Sequence, residues 1–189
     1  MKKIPFLGVV LTVLVGLAPL SAEVNWKSYS PAFPEKSLAI QAGIGLGYVM
    51  PGTVSIPPLG LSVDYALPLW KLPFSLGGYI GYAYSEDKNS LGSYTWAYQY
   101  TYYIVGARMA YHVDFGIKKL DSYAGAMLGW DVASVNTSGN AITGSVASAG
   151  GLSLGLYVGA RYFFTPNWAA FAELGYSVGV LNLGSAYKF

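Results

Sequence analysis

The stretch "LAIQAGIGLGY", residues 38–48, decides the fold because its apolar residues recur at every second position. Leucine, isoleucine, alanine and tyrosine occupy the even-numbered positions from Leu38 to Tyr48, whereas the odd-numbered positions hold alanine, glutamine and three glycines. A helix would scatter this period of two around its circumference, whereas a strand places each set on one face. Frequent glycine also disfavours a helix. The stretch therefore predicts a β-strand with one large apolar face and one small face.

The same alternation recurs along the rest of the chain. Short polar or proline-containing segments at 70–73, 114–121 and 165–167 read as tight turns, and the Ser-, Asn- and Gly-rich segments 85–93 and 134–151 read as longer loops. About 9–11 residues suffice for a tilted strand to cross a bilayer, and each run supplies about that number. The sequence predicts eight antiparallel strands, from the runs 38–48, 59–69, 74–84, 94–113, 123–132, 152–164, 168–177 and 179–189. In the fourth run, residues 103–113 decide which face is which.

The charged residues within these runs all lie on the small, Gly-rich face. A soluble barrel would bury its large apolar face inside, but the small polar face cannot form a surface that covers such a core. If the large face points outward it must contact lipid, and the polar face then lines a narrow lumen. Closure follows, because unpaired strand edges are not tolerated in hydrocarbon. The prediction is an all-β, up-and-down transmembrane barrel with a lumen charge network of Asp64, Arg108, Asp131, Arg161, Glu173 and Lys188.

Composition agrees with an exported membrane protein of one domain. Residues 1–22 combine two lysines, an apolar stretch and small residues before Glu23, which is typical of a secretory signal peptide. Residues 23–36 read as a periplasmic lead-in that can reach into the barrel mouth, and residues 37–189 as the barrel. Without Lys2 and Lys3 the chain has nine basic and nine acidic residues, so no basic surface for nucleic acid is expected. The chain has no cysteine, which excludes disulfides and thiolate metal sites.

Aromatic residues near the strand ends indicate an interfacial girdle, which we assign to Trp70, Trp130, Trp168 and Tyr187. A further cluster at the start of the fourth strand comprises Tyr94, Trp96, Tyr98, Tyr100 and Tyr102. We expect it to contribute to the girdle and to lumen filling. The alternative is a site for small apolar compounds.

The last strand, "GVLNLGSAYKF", ends on an aromatic residue with alternating apolar residues before it. In this respect the chain from Ser37 to Phe189 resembles the small eight-stranded outer-membrane barrels of diderm bacteria, the OmpX, OmpW and OmpA-barrel group. In that group such a strand is read by the barrel-insertion machinery. Here Ser185 and Gly179 depart from the pattern, whereas the residues that match it are Leu181, Leu183, Tyr187 and Phe189. The resemblance implies an outer-membrane location but no single task.

No constellation of residues indicates catalysis. The single histidine, His112, is predicted to face the lumen near the periplasmic end as a half-wet, hydrogen-bonded residue. One histidine, no cysteine and scattered carboxylates give no metal site, and no motif calls for a cofactor. The hairpin across residues 165–167 brings Arg161 and Glu173 within diagonal reach, and we predict that they form an ion pair.

The sequence is compatible with two functions. The leading hypothesis is a narrow porin-like channel for small or apolar solutes, lined by the lumen charges. The alternative is a non-conducting structural or adhesin-like barrel that contacts host surface molecules through loops near 86–93 and 134–150. Both place the barrel in outer-membrane lipid, with no nucleic-acid partner.

Overall fold

In the computed structural model, which describes residues 24–47, 51–140 and 144–189, the chain forms eight antiparallel strands and no helix. Each strand pairs with its neighbours in sequence, and β8 pairs with β1, so the sheet is closed. The described ranges contain no helix long and apolar enough to cross a membrane. The predicted all-β barrel is confirmed, with strands β1 Leu38–Leu46, β2 Thr53–Leu69, β3 Leu72–Leu91, β4 Tyr94–Val113, β5 Leu120–Gly139, β6 Gly144–Phe163, β7 Trp168–Gly175 and β8 Leu181–Lys188. The predicted signal peptide, residues 1–22, lies outside the described residues.

The strands are staggered around the ring. When each residue is traced to its ladder partner on the next strand, starting from Ile44 and passing through β2, β3, β4 and β5, the pairs lead to Gly150 of β6. Followed the other way, through β8 and β7, they lead to Ala160, a stagger of ten residues. A stagger of this kind tilts the strands, by roughly 35–45° in barrels generally. Because of this tilt, side chains on strands that are not neighbours in the sheet can meet across the lumen.

Alternation places every second side chain in the lumen. On β1, Ala39 and Gln41 are buried inside the barrel, whereas Ile44 and Leu46 are exposed on its exterior. The exterior of the other strands likewise exposes large apolar and aromatic side chains. This apolar exterior is the surface that a barrel must present to lipid.

The two ends of the barrel differ. The end that carries the short connections at 70–71, 114–119 and 164–167, together with the lead-in and Phe189, is called here the turn end. At the β2–β3 turn Trp70 and Lys71 both have positive φ, of 52° and 63°, as a two-residue type I′ hairpin requires. The opposite end is called the loop end.

The barrel wall is much taller on one side at the loop end. Strands β7, β8 and β1 have 8, 8 and 9 residues, whereas β3, β4, β5 and β6 have 20 residues each. The additional residues of the four long strands form a sheet that extends beyond the closed ring. This sheet is called here the protruding sheet and consists of residues 83–91, 94–103, 132–139 and 144–152.

The prediction of long loops at 85–93 and 134–151 is therefore wrong over most of their length. β3 continues to Leu91, β5 continues to Gly139, and β6 already begins at Gly144. Strand pairing depends on backbone groups, so polar and small residues can extend a ladder beyond the apolar band. The tyrosine-rich start of β4 pairs with both neighbours and supports the extension.

Candidate functional site

The centre of the lumen holds a buried arginine that bridges two carboxylates from different strands. Arg108 on β4 donates from Nη1 and Nη2 to Glu173 Oε1 and Oε2 on β7, at 3.3 and 2.7 Å. Its Nε lies 3.0 Å from Asp64 Oδ1 on β2. The guanidinium carbon also lies 4.1 Å from the ring centre of Tyr157. This fork geometry compensates a charge that would otherwise be costly to bury.

A second arginine lies nearer the turn end and is wholly enclosed. Arg161 on β6 donates from Nε to Gln41 Oε1 at 2.6 Å and from Nη1 to Asp121 Oδ2 at 3.2 Å. Its Nη2 donates to Asp64 Oδ2, so Asp64 links the two arginines. Two guanidinium groups thus contact three carboxylates within one hydrogen-bonded network.

The single histidine extends this network. His112 Nδ1 lies 2.7 Å from Asp121 Oδ1, and its Nε2 lies 2.9 Å from Ser75 Oγ. The ring is fully buried, so the prediction of a half-wet histidine is wrong. The rings of Phe33, a lead-in residue, and of Tyr123 pack against it, with ring centres 4.9 and 5.6 Å from that of His112.

Tyrosines fill the space between the charged groups and the glycines. Tyr123 donates from its hydroxyl to Glu173 Oε2 at 3.1 Å, and Arg108 Nε lies 3.1 Å from the Tyr157 hydroxyl. Tyr123 pairs across the ladder with Gly159, and a side-chain carbon on Gly159 would lie 2.6 Å from the Tyr123 ring. Glycine on the lumen face therefore provides room for the tyrosine of the neighbouring strand.

The structure brings together four of the six residues assigned to the lumen network: Asp64, Arg108, Arg161 and Glu173. The predicted Arg161–Glu173 ion pair does not form, because Glu173 pairs with Arg108 across the lumen, whereas Arg161 pairs with Asp64 across the lumen and with Asp121, its ladder partner on β5. Sequence reasoning missed Asp121, which it assigned to a turn. Extending the alternation of β5 back from Tyr123 by two residues would have placed Asp121 on the lumen face.

The other two assigned residues lie apart from the centre. Asp131 lies toward the loop end, where it accepts hydrogen bonds from Ser153 Oγ at 3.0 Å and from the Tyr176 hydroxyl. Lys188 lies at the turn end, where its Nζ donates to the carbonyl of Ala32 at 2.6 Å. Asp131 thus joins the β7–β8 connection to the barrel wall, and Lys188 joins the lead-in to it.

The lead-in closes the lumen at the turn end. Phe33 is 0% exposed, stacks on His112 with ring centres 4.9 Å apart, and lies 4.9 Å from the guanidinium carbon of Arg161. The segment is fastened by Lys36 N–H, which donates to Ala66 O at 3.0 Å, and by the Tyr29 hydroxyl, which donates to the carbonyl of Phe74. Burial, with the nearby carboxylates as a smaller cause, raises the pKa of Tyr29 to about 12, so this hydroxyl remains a donor at neutral pH.

The β7–β8 connection closes the lumen at the loop end. Val178 is 0% exposed, packs with Tyr79 and Ile104, and donates its N–H to the Tyr79 hydroxyl at 3.2 Å. Asn182 Nδ2 donates to Gly179 O at 3.2 Å and holds the connection folded inward. Short β7 and β8 strands thus allow this connection to enter the barrel.

Little space remains between these two closures. A cavity beside Arg108 and Glu173 has a volume of about 10 Å³, which is room for about one water molecule. Among the described residues, no three His, Asp or Glu side chains are placed to hold a metal ion. Among the described residues, paired charges and aromatic rings therefore occupy most of the centre of the lumen.

Exterior aromatic residues lie at two levels. Trp70, Trp168 and Tyr187 lie at the turn end, where the rings of Trp168 and Tyr187 meet edge to face at 4.9 Å. Trp130 lies toward the loop end, beside Val105 of β4. The residues assigned to the assembly pattern, Leu181, Leu183, Tyr187 and Phe189, share the exterior face of the last strand.

The two hairpins of the protruding sheet are hydrogen-bonded to each other at the tip, and one edge of the sheet lacks a partner strand. Asn140 accepts from Thr95 N–H at 2.7 Å and donates to Ser93 O at 2.8 Å, which ties the two hairpins together. On its other side, β6 pairs with β7 only from Tyr157 onward. Within the described part of the chain, residues 144–155 of β6 therefore have a ladder partner on the β5 side only.

No protein-family model and no curated protein sequence matches this chain. Several solved structures resemble it over most of its length, and two of them are as follows. Ail, the attachment invasion locus protein of Yersinia pestis in complex with the heparin analogue sucrose octasulfate, is 19% identical over 81% of this chain and 96% of its own, with a TM-score of 0.52. A major outer membrane protein from Thermus thermophilus is 16% identical over 81% of this chain and 99% of its own, with a TM-score of 0.56. This chain has the fold of small outer-membrane barrels. The resemblance stated from the sequence is thereby confirmed at the level of fold.

Proposed function

We propose that this chain is an integral outer-membrane barrel that does not conduct and that binds a partner at the cell surface through its protruding sheet. Residues 1–22 would direct export, and the turn end would face the periplasm, as short connections do in such barrels. The observation that carries the proposal is the combination of a lumen closed at both ends with a sheet that extends far beyond the ring on one side.

The filled lumen favours this function over the narrow porin-like channel. A solute would have to displace both Phe33 and Val178 and then pass Arg108 between its two carboxylates. Removing one partner from a buried ion pair leaves an uncompensated charge, which makes such a path costly. We also propose no catalytic role, because His112 is enclosed.

The free edge of β6 indicates how a partner would bind. Natural edge strands often carry charged residues or proline, which prevent pairing with a further strand. Residues 144–155 contain neither. The edge strand on the other side, β2, carries Pro57 and Pro58 and shows register irregularities there. An extended protein segment can therefore add to β6 by backbone hydrogen bonds.

Charge disfavours a polyanionic partner for this sheet. Its charged residues are Lys88, Glu86 and Asp87, and Lys88 is already 3.0 Å from Glu86. A sulfated glycan would find no excess of positive charge here. The proposed partner is therefore a protein that presents an extended segment.

A peptide selection tests this proposal. The barrel, reconstituted in lipid nanodiscs, is used to select from a library of random extended peptides, and a trimmed barrel lacking residues 87–98 and 133–149, and with them half of the free edge, serves as the matched control. We expect peptides that bind the intact barrel and protect the amides of residues 144–155 from hydrogen exchange. Peptides that bind both barrels equally, or that protect other residues, would contradict the proposal.

A further inference from the structure

A second candidate binding site lies outside the lumen, at the turn end. The β4–β5 and β6–β7 connections enclose a surface cavity of about 320 Å³. Lys118, Lys119 and Lys188 contribute its charge, and Phe164 and Pro166 form part of its apolar wall. The lead-in accounts for Lys188, but neither the lumen closures nor the protruding sheet explains why Lys118 and Lys119 lie beside it.

The three lysines form no ion pair within the described part of the chain. Lys188 donates to the carbonyl of Ala32 and lies 4.8 Å from the ring centre of Phe163, so its other donors can still contact a ligand. Lys118 and Lys119 are exposed, and the Lys119 carbonyl accepts from Phe163 N–H at 2.8 Å, which holds their turn beside β6. Among the described residues, no carboxylate forms an ion pair with any of the three. Asp121 attracts Lys188 electrostatically without forming an ion pair with it, so the charges of Lys118 and Lys119 in particular remain available to an anion.

The cavity lies beside the aromatic exterior of the barrel. Phe164, which lines it, is 57% exposed, and the neighbouring exterior residues Tyr162 and Trp168 are 52% and 48% exposed. Aromatic side chains of this kind lie at the level of lipid headgroups. A ligand in the cavity can thus place an anionic group among the lysines and apolar chains along the aromatic residues.

We propose that this cavity binds the phosphate headgroup of an anionic phospholipid from the periplasmic leaflet. The lysines attract the phosphate, and the adjoining aromatic exterior contacts the acyl chains. A free phosphate ion offers the same anionic chemistry but would leave the apolar wall unused. The inference requires that the barrel span a membrane, but it does not depend on binding at the protruding sheet.

Spin-labelled lipids test the site directly. The full-length mature barrel is reconstituted in phosphatidylcholine vesicles, and electron paramagnetic resonance measures the immobilised fraction of spin-labelled phosphatidylglycerol or phosphatidylcholine. We expect the barrel to prefer phosphatidylglycerol by roughly fivefold. The Lys118→Gln/Lys119→Gln variant should lower this preference to less than about twofold, because the headgroup loses two of its cationic contacts.

The matched control removes the same charge from the same end of the barrel. Lys27 and Lys71 are exposed there but do not line the cavity, so Lys27→Gln/Lys71→Gln should retain the preference. Equal loss in both double variants, or no preference in the unmodified barrel, would overturn the site. Loss of the preference on adding inorganic phosphate at constant ionic strength would also overturn it, in favour of a soluble anion. Immobilised phosphatidylcholine shows independently that the barrel has inserted.

Discussion

At the scale of single residues, the lumen is built from tyrosines that lie over glycines of the next strand. Tyr123 faces Gly159, and Tyr157 faces Gly125, in the β5–β6 ladder. We predict that Gly159→Val lowers the free energy of unfolding by about 1–3 kcal/mol, because the new side chain must displace the Tyr123 ring. Denaturant titration of the protein in micelles measures this change. Gly151→Val on the same strand is the control, since an added side-chain carbon there meets no atom within 4 Å, and an equal loss in both variants would contradict the explanation.

The buried arginines give a second prediction at this scale. Arg108→Met leaves Glu173 without its bidentate partner and should lower the free energy of unfolding by about 3–5 kcal/mol. Lys88→Met removes one partner of an exposed ion pair and should cost less than about 1 kcal/mol. Parallel denaturant titrations compare the two variants, and similar losses would show that the lumen network contributes no more than a surface pair.

At the scale of elements, the sequence predicted which face of each strand points inward but not which residues meet there. Alternation alone placed Arg161 and Glu173 on the lumen face. Their partners, Asp64 and Arg108, come from strands across the barrel, and the meeting depends on a stagger that no local pattern encodes. Strand ends were predicted less well, since polar residues such as those of 85–91 extend a ladder without an apolar period.

The lead-in covers His112, so a change in the lead-in can be detected by the chemical accessibility of that histidine. Phe33→Ala should expose the chain's single histidine, His112, and lower the free energy of unfolding by about 3–5 kcal/mol. Diethyl pyrocarbonate, which modifies accessible histidines, should react with the variant much faster than with the unmodified protein. Trp26→Ala, at an exposed position of the same segment, should change neither quantity. Rapid modification of the unmodified protein would show that the lead-in does not close the lumen.

At the scale of the whole molecule, the barrel has two regions with different surfaces, the closed ring and the protruding sheet. The closed ring carries the apolar exterior and a lumen filled by paired charges and tyrosines. The protruding sheet carries the free strand edge and rises from β3 to β6 on one side.

Conductance across a planar bilayer therefore tests the central claim most directly. The unmodified barrel, with its lead-in intact, is inserted into the bilayer in concentrated potassium chloride, and the current is recorded beside that of a large general porin as the positive control. The account predicts no steady current steps, because Phe33 and Val178 close the lumen and Arg108 and Arg161 fill it with their carboxylate partners. A large, steady conductance of the unmodified barrel would contradict it and favour the narrow channel.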